Sequence, residues 1–250
     1  MEKIEQQKVN FGLVGKNISY SFSRGYFKKK FDTLGLTNYS YNNFDLQSIS
    51  EFPAIFENTS NIQGINVTIP YKEEVIQYLD DIDVAAKKIG AVNTIKFSKN
   101  GLIGYNTDAY GFQKSIEPYL KNHHKKALIL GTGGASKAVA FVLEELGITS
   151  SFVSRSDKNN GFEYQELTDD NISEHTIIIN CTPVGTFPNV NEKPAIPYNS
   201  INKKHLLFDL IYNPEETAFL ATGKAAGATI CNGHKMLEYQ AEKSWEIWNR

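Results

Sequence analysis

Cysteine is scarce in this chain: Cys181 and Cys231 are the only two in 250 residues. Two thiols make no disulfide framework, and their spacing fits no zinc motif. Both are expected to stay reduced. Long apolar runs are also lacking. None reaches the roughly 20 residues that a membrane-crossing helix needs. The first residues, Met1 to Lys8, are polar and mixed in charge, unlike a secretory leader. A cytoplasmic protein is expected. Neither sign of charge dominates, since 26 Lys and Arg stand against 28 Asp and Glu, a formal net charge of −2. That balance offers no basic surface for nucleic acid or an anionic membrane. The five histidines and two cysteines form no ligand cluster, so no metal is expected. The composition left over, 41% hydrophobic and 22% charged, is that of a globular protein with room for two domains.

Hydrophobic periodicity predicts alternating strands and helices. Val9 to Val14 reads as a buried strand, followed by a helix capped by Ser23 and closed by Gly35. Tyr39 to Phe44 alternates as a strand, Phe52 to Phe56 reads as a helix, and Ile62 to Ile69 is a strand stopped by Pro70. Short helices are predicted over 73–79 and 84–89, then a hairpin of 91–97 and 102–105 around Asn100-Gly101. A helix from Asp108 to about Leu120 looks like a connector between domains. After a polar stretch, 121–126, come a strand (127–130), a glycine turn, a helix (135–146) and a strand (151–154). That βαβ unit implies a parallel sheet. Strands at 176–180, 206–210 and 229–231, a helix at 216–226 and a last amphipathic helix at 235–248 complete the pattern. The fold class expected is α/β in two domains.

The turn Gly131-Thr132-Gly133-Gly134-Ala135-Ser136 lies between a predicted strand and a predicted helix. Gly131 permits the tight turn, and Gly133 lets a pyrophosphate approach the backbone. The helix N-terminus then offers N–H groups and a positive dipole end to the phosphates. Ser136 stands where a third glycine is usual. A plain tight turn is the structural alternative. Beyond the second strand, Arg155 can clamp a 2′-phosphate, with Ser154 and Ser156 adding hydroxyls. This points to NADP. Asp157 leaves NAD open, because an acidic residue there can accept from a ribose hydroxyl.

Polar residues also collect at predicted strand ends: Asn66 and Thr68 ahead of Lys72, then Asn93, then Asp108. Ser21 and Ser23 lie at a helix start, where hydroxyls and free N–H groups can hold a carboxylate. Each residue alone is equally a cap or turn residue. Together they suggest a polyhydroxylated acid as ligand.

Several segments resemble the shikimate dehydrogenase family along nearly the whole chain. Asn66 to Lys72 matches its Asn-Val-Thr-x-Pro-x-Lys motif, Ala91 to Thr94 its Ala-Val-Asn-Thr, and Gly104 to Asp108 its Gly-x-Asn-Thr-Asp. Gly131 to Ala135, Asn180 to Gly185, Asp209 to Pro214 with Thr217, and Gly233 to Gln240 match its later motifs. The first motif departs from the family's His-Ser-x-Ser-Pro: here it is Tyr20-Ser21-Phe22-Ser23-Arg24, and Asn17 replaces a proline.

The resemblance implies an N-terminal α/β substrate domain, 1–107 with 234–250, and a Rossmann-like NADP-binding domain, 108–233. It implies NADPH-dependent reduction of 3-dehydroshikimate to shikimate, with Lys72 and Asp108 as the catalytic pair. Ser21 and Ser23 would hold the substrate carboxylate, while Asn66, Thr68, Lys72, Asn93, Asp108 and Gln240 would contact the ring. Gly131, Gly133, Gly134, Ala135, Ser154, Arg155, Ser156, Thr182, Tyr212, Gly233 and Met236 would line the cofactor site. Serine at 23 rather than threonine goes with shikimate rather than quinate. Three alternatives stand beside this reading: a quinate/shikimate enzyme using NAD through Asp157, a non-catalytic sensor, and a methylenetetrahydrofolate-type dehydrogenase. The protein is expected to be a monomer or homodimer.

Overall fold

Val9–Gly15 is mostly apolar and buried at nearly every position, and it forms strand β1, second from the edge of the first sheet. The computed structural model describes residues 7–19, 21–156 and 161–250. The chain divides into two units, Met1–Thr107 with Ala241–Arg250, and Asp108–Gln240. Among the described residues no helix is long and apolar enough to cross a membrane.

In the first unit, β1 is followed by α1 (Phe22–Leu34), β2 (Tyr39–Asp45), α2 (Ala54–Asn58) and β3 (Ile62–Val67). Then come β4 (Asp81–Ile82), α3 (Val84–Ile89), β5 (Thr94–Ser98) and β6 (Gly101–Tyr105). The sheet order is β2-β1-β3-β5-β6-β4. β1 runs parallel to both β2 and β3, whereas β5 is antiparallel to β3 and β6. Side-chain alternation divides the core between the two faces. Val14, Ile65 and Val67 face a cluster with Phe52, Ile55 and Val75. Phe11 and Leu13 face the other way, toward Phe27 and Phe31 of α1 and Ile247 and Trp248 near the chain end.

Two local expectations change. The N-cap of α1 is Ser21, in an extended conformation and accepting from Arg24 N–H at 3.3 Å. Ser23 lies inside the first turn, so the cap comes two residues earlier than its sequence context suggests. The predicted strand over 91–97 begins only at Thr94. Val92 N–H instead bonds the Lys72 carbonyl at 2.7 Å, and the Asn93 carbonyl accepts from Val67 N–H at 2.8 Å.

The second unit holds α4 (Thr107–Ile116, begun at the last residue of the first unit), β7 (Lys126–Leu130), α5 (Gly134–Glu145), β8 (Thr149–Ser154), β9 (Gly161–Glu163) and α6 (Asp169–Glu174). β10 (Ile177–Asn180), β11 (Leu206–Asp209), α7 (Ala218–Ala225), β12 (Thr229–Cys231) and α8 (His234–Trp248) follow. All six strands are parallel, in the order β12-β11-β10-β7-β8-β9. This is the Rossmann order, with its topological switch point between β7 and β10. Ile177, Ile178 and Ile179 are fully buried, as a strand covered on both faces requires. Phe112 of α4 meets Phe208 of β11 edge-on, 5.1 Å between ring centres. The division between the units falls within α8.

Candidate active site

Asn66 and Asn93 anchor the polar cluster of the first unit. They are 4% and 3% exposed, so their amides need partners within the protein. Asn66 Nδ2 lies 2.9 Å from Ser244 Oγ, 3.0 Å from Thr94 Oγ1 and 3.2 Å from the Asn93 carbonyl. A carbonyl can only accept, which fixes the orientation of the amide. Asn66 Oδ1 then accepts from the Tyr41 hydroxyl at 2.8 Å. Asn93 Oδ1 accepts from Thr107 N–H at 2.7 Å and from Thr107 Oγ1 at 3.1 Å. Burial pushes the Tyr41 phenol well above its ordinary range, and a hydrogen bond from Ser23 pulls it partly back. The same buried phenol thus meets Ser23 and Asn66.

Thr68 and Lys72 follow on the turn after β3. Thr68 N–H bonds the Val14 carbonyl at 2.8 Å, and Tyr71 is buried with its hydroxyl on the Leu46 carbonyl at 2.8 Å. Tyr71 therefore ties the turn into the core and sets the position of the half-buried Lys72. Asn66 and Thr68 lie at the carboxyl end of β3, where an open α/β sheet leaves room for a ligand, Ser21 caps α1, Asn93 immediately precedes β5, and Lys72 lies on the turn beyond β3.

Asp108 and Gln240 belong to the second unit, and both are buried. Gly111, one turn beyond Asp108, brings α4 and α8 together: a Cβ there would stand 2.6 Å from the Met236 carbonyl and 3.1 Å from Gln240 Cβ. Gln240 Nε2 bonds the Leu237 carbonyl at 3.1 Å. Met236 is buried on the same helix.

The glycine turn fits a dinucleotide. Gly131 has φ +102°, and a Cβ on it would stand 3.0 Å from Thr182 Cγ2 and 3.4 Å from the Cys181 backbone. The turn therefore lies against the end of β10, at the switch point. Gly133 is the N-cap of the 12-residue α5, with no capping side chain and open space where a Cβ would be. The positive helix end and its N–H groups are left for an anion. Gly134 and Ala135 form the first turn, and buried Ser136 returns its hydroxyl to the Gly133 carbonyl at 2.6 Å. Ser136 thus closes the turn where a third glycine is usual. Ser154 ends β8 and is buried, while Arg155 and Ser156 are exposed beyond it. Asp157, the candidate NAD contact, and Tyr20 lie outside the described residues. Gly233 packs so tightly on β11's exit that a Cβ would collide with the Leu210 carbonyl. Tyr212 is exposed beside it, and partial burial raises its phenol pKa.

Residues 13–95 match the family described as the shikimate dehydrogenase substrate binding domain. That span holds Ser21, Ser23, Asn66, Thr68, Lys72 and Asn93. The shikimate dehydrogenase (NADP(+)) of Methanococcus vannielii is 38% identical, covering 98% of this chain and 93% of its own. The chain belongs to the shikimate dehydrogenase family. The crystal structure of shikimate dehydrogenase 1 from Peptoclostridium difficile superposes with a TM-score of 0.82 at 40% identity, covering 96% of this chain and 91% of its own. The Thermus thermophilus shikimate 5-dehydrogenase, solved with NADP(H) and shikimate, gives a TM-score of 0.84 at 28% identity over 96% of this chain and 93% of its own.

Family motifs named Asn66, Asn93 and Asp108, yet the structure adds partners that sequence reasoning passed over. Thr94 and Thr107 stand inside the family motifs Ala91 to Thr94 and Gly104 to Asp108, so their neighbours were already the signal. Ser244 had one weaker signal, its helical spacing of one turn from Gln240. Tyr41 had none beyond the alternation of its strand. Asp209 and Asn180 were legible only as motif members, and their role emerges from the bonds between them.

Proposed function

We propose that this chain is an NADP-dependent shikimate dehydrogenase, reversibly reducing 3-dehydroshikimate to shikimate on the route to chorismate and the aromatic amino acids. One observation carries the reading: an uncapped glycine turn at the switch point of an all-parallel sheet shares the chain with a buried Asn66–Asn93 cluster beside Lys72. Reduced NADP, when bound, supplies the hydride. The chain's own residues do the rest. The Gly131–Ala135 turn and the α5 N-terminus receive the pyrophosphate, and Arg155 with Ser154 and Ser156 receives the 2′-phosphate. Thr182, Tyr212, Gly233 and Met236 border the nicotinamide.

Negative charge builds on the ketone oxygen during reduction, and a positioned donor lowers that barrier. Lys72 gives its proton there, and in the reverse direction takes it back. Asp108 accepts from a ring hydroxyl and completes the catalytic pair. Ser21, whose lone pair is engaged by Arg24 N–H, keeps its own proton for the carboxylate, with Ser23 as second hydroxyl. Asn93 Oδ1 is occupied by Thr107, while none of the described residues engages its Nδ2. Asn93 is thus the amide donor to a ring hydroxyl, alongside Thr68 and Gln240. Asn66 has both ends of its amide engaged and shapes the ring pocket from within.

The test is NADPH formation, followed by absorbance, after mixing protein with shikimate and NADP, with NAD and quinate as controls. Rapid reduction of NADP with shikimate is expected, and silence in every mixture would overturn the reading. Lys72→Ala should lower kcat by about 10²-fold or more, with KM for shikimate little changed. Ser21→Ala should instead raise that KM, and an effect confined to kcat would remove Ser21 from the carboxylate. The same reading places the protein in the cytoplasm as a monomer or homodimer, which light scattering on the purified protein decides.

A further inference from the structure

Asp209 is a fully buried carboxylate whose hydrogen-bond partners are all neutral. Burying a charge without a cation is costly, so such a group is held by several donors. Three donors converge on it from three segments. Asn180 Nδ2, at the end of β10, and Ile211 N–H both reach Oδ1, at 3.1 and 3.0 Å. Thr217 Oγ1, the N-cap of α7, donates to Oδ2 at 2.6 Å.

Each of the Oδ1 donors leads on to the cofactor cleft. Asn180 Oδ1 accepts from Thr182 N–H at 3.0 Å and from its hydroxyl at 2.6 Å. The Thr182 methyl in turn borders Gly131. Ile211 carries Tyr212 as its neighbour in the chain, and its carbonyl accepts from Gly233 N–H at 3.1 Å. Thr182, Tyr212 and Gly233 therefore hang from one carboxylate. Among the described residues no bond of this network reaches Arg155 just beyond β8, where the 2′-phosphate would sit.

We infer that Asp209 is the positioning residue for the nicotinamide end of the cofactor cleft, and that the adenosine end is set without it. The inference rests on the dinucleotide reading above. Asp209→Ala leaves Ile211 N–H without its acceptor and the Asn180 amide with only the Val184 carbonyl, at 3.3 Å. Asp209→Asn keeps an acceptor for both and turns its amide toward Thr217, whose oxygen can accept.

The experiment is titration calorimetry with two probes, NADP and adenosine 2′,5′-bisphosphate, which lacks the nicotinamide. Asp209→Ala should weaken NADP by about fivefold or more and leave the bisphosphate within about twofold, with Asp209→Asn restoring NADP. Equal weakening of both probes would make Asp209 a merely structural residue and overturn the inference, as would no weakening of either. If Asp209→Ala does not fold, Asn180→Ala cuts only the Thr182 branch and must show the same split, or the inference falls. Wild-type protein that binds neither probe would overturn the dinucleotide reading itself, a different failure from a wild type that binds both and a variant that shows no split.

Discussion

Two helical glycines should respond to alanine with opposite signs. Gly25 in α1 is exposed, and nothing lies within 4 Å of where its Cβ would be. Alanine there costs no contact and spares the unfolded chain's entropy, a gain of about 0.5–1 kcal/mol. Gly111 in α4 is buried, and its Cβ would stand 2.6 Å from the Met236 carbonyl, about 0.8 Å short of ordinary contact. Gln240 N, at 3.2 Å, is also backbone. No rotamer change relieves either clash, so α4 and α8 must part. Overpacking of this kind costs about 1–3 kcal/mol, more than the roughly 1 kcal/mol that alanine's helix propensity returns. Gly111→Ala should therefore lower Tm, by about 2–4 °C per kcal/mol of net loss, while Gly25→Ala raises it slightly. The shift also separates Asp108 on α4 from Gln240 on α8. Misplacement approaching 1 Å costs up to about 10²-fold in rate, so kcat/KM for shikimate should fall by roughly 10–100-fold in Gly111→Ala alone. Thermal unfolding and initial rates on both variants check this. A Gly111→Ala protein with unchanged or higher Tm and full activity would refute the close helix contact as the reason for that glycine.

Burial raises the Asp209 carboxyl from 3.8 to about 6, with the bonds from Thr217, Ile211 and Asn180 offsetting part of the effect. Folding therefore tightens its hold on the proton. Its contribution is most favourable below about pH 4, declines as pH rises toward 6, and stays lower above that. The stability of the wild type relative to Asp209→Asn should fall by about 2 kcal/mol between pH 4 and 7. Nearby Cys181 and Tyr198 are pushed up by burial and stay neutral throughout. Urea melts of both proteins across that range measure the difference, and a flat difference would contradict it. Arg155→Ala should raise KM for NADP by roughly tenfold and leave KM for NAD nearly unchanged. Equal changes for both cofactors would free Arg155 of the 2′-phosphate role.

Much of this protein was legible in one dimension. The continuous apolar runs before Gly131 and through Ile177 to Ile179 already required strands covered on both faces, because every position in them must leave water. The Gly131–Gly134 turn declared itself between a strand and a helix. The candidate polar residues stood in motifs shared with the family. The boundaries were less legible. Ser21 rather than Ser23 caps α1, and Ala91 to Asn93 stay out of the strand, because long-range bonds from Lys72 and Val67 claim their backbone groups instead. The hydrogen-bond partners were not legible at all. Ser244 reaches Asn66 across 178 positions, and Asn180 meets Asp209 only because β10 and β11 lie side by side. Residue type and periodicity are local properties, and they determined the elements and the candidate chemistry. Which groups the buried Asn66 and Asn93 amides meet among the described residues, and which donors converge on the Asp209 carboxylate, depend on strands and helices far apart in the chain, and only the tertiary structure decided them.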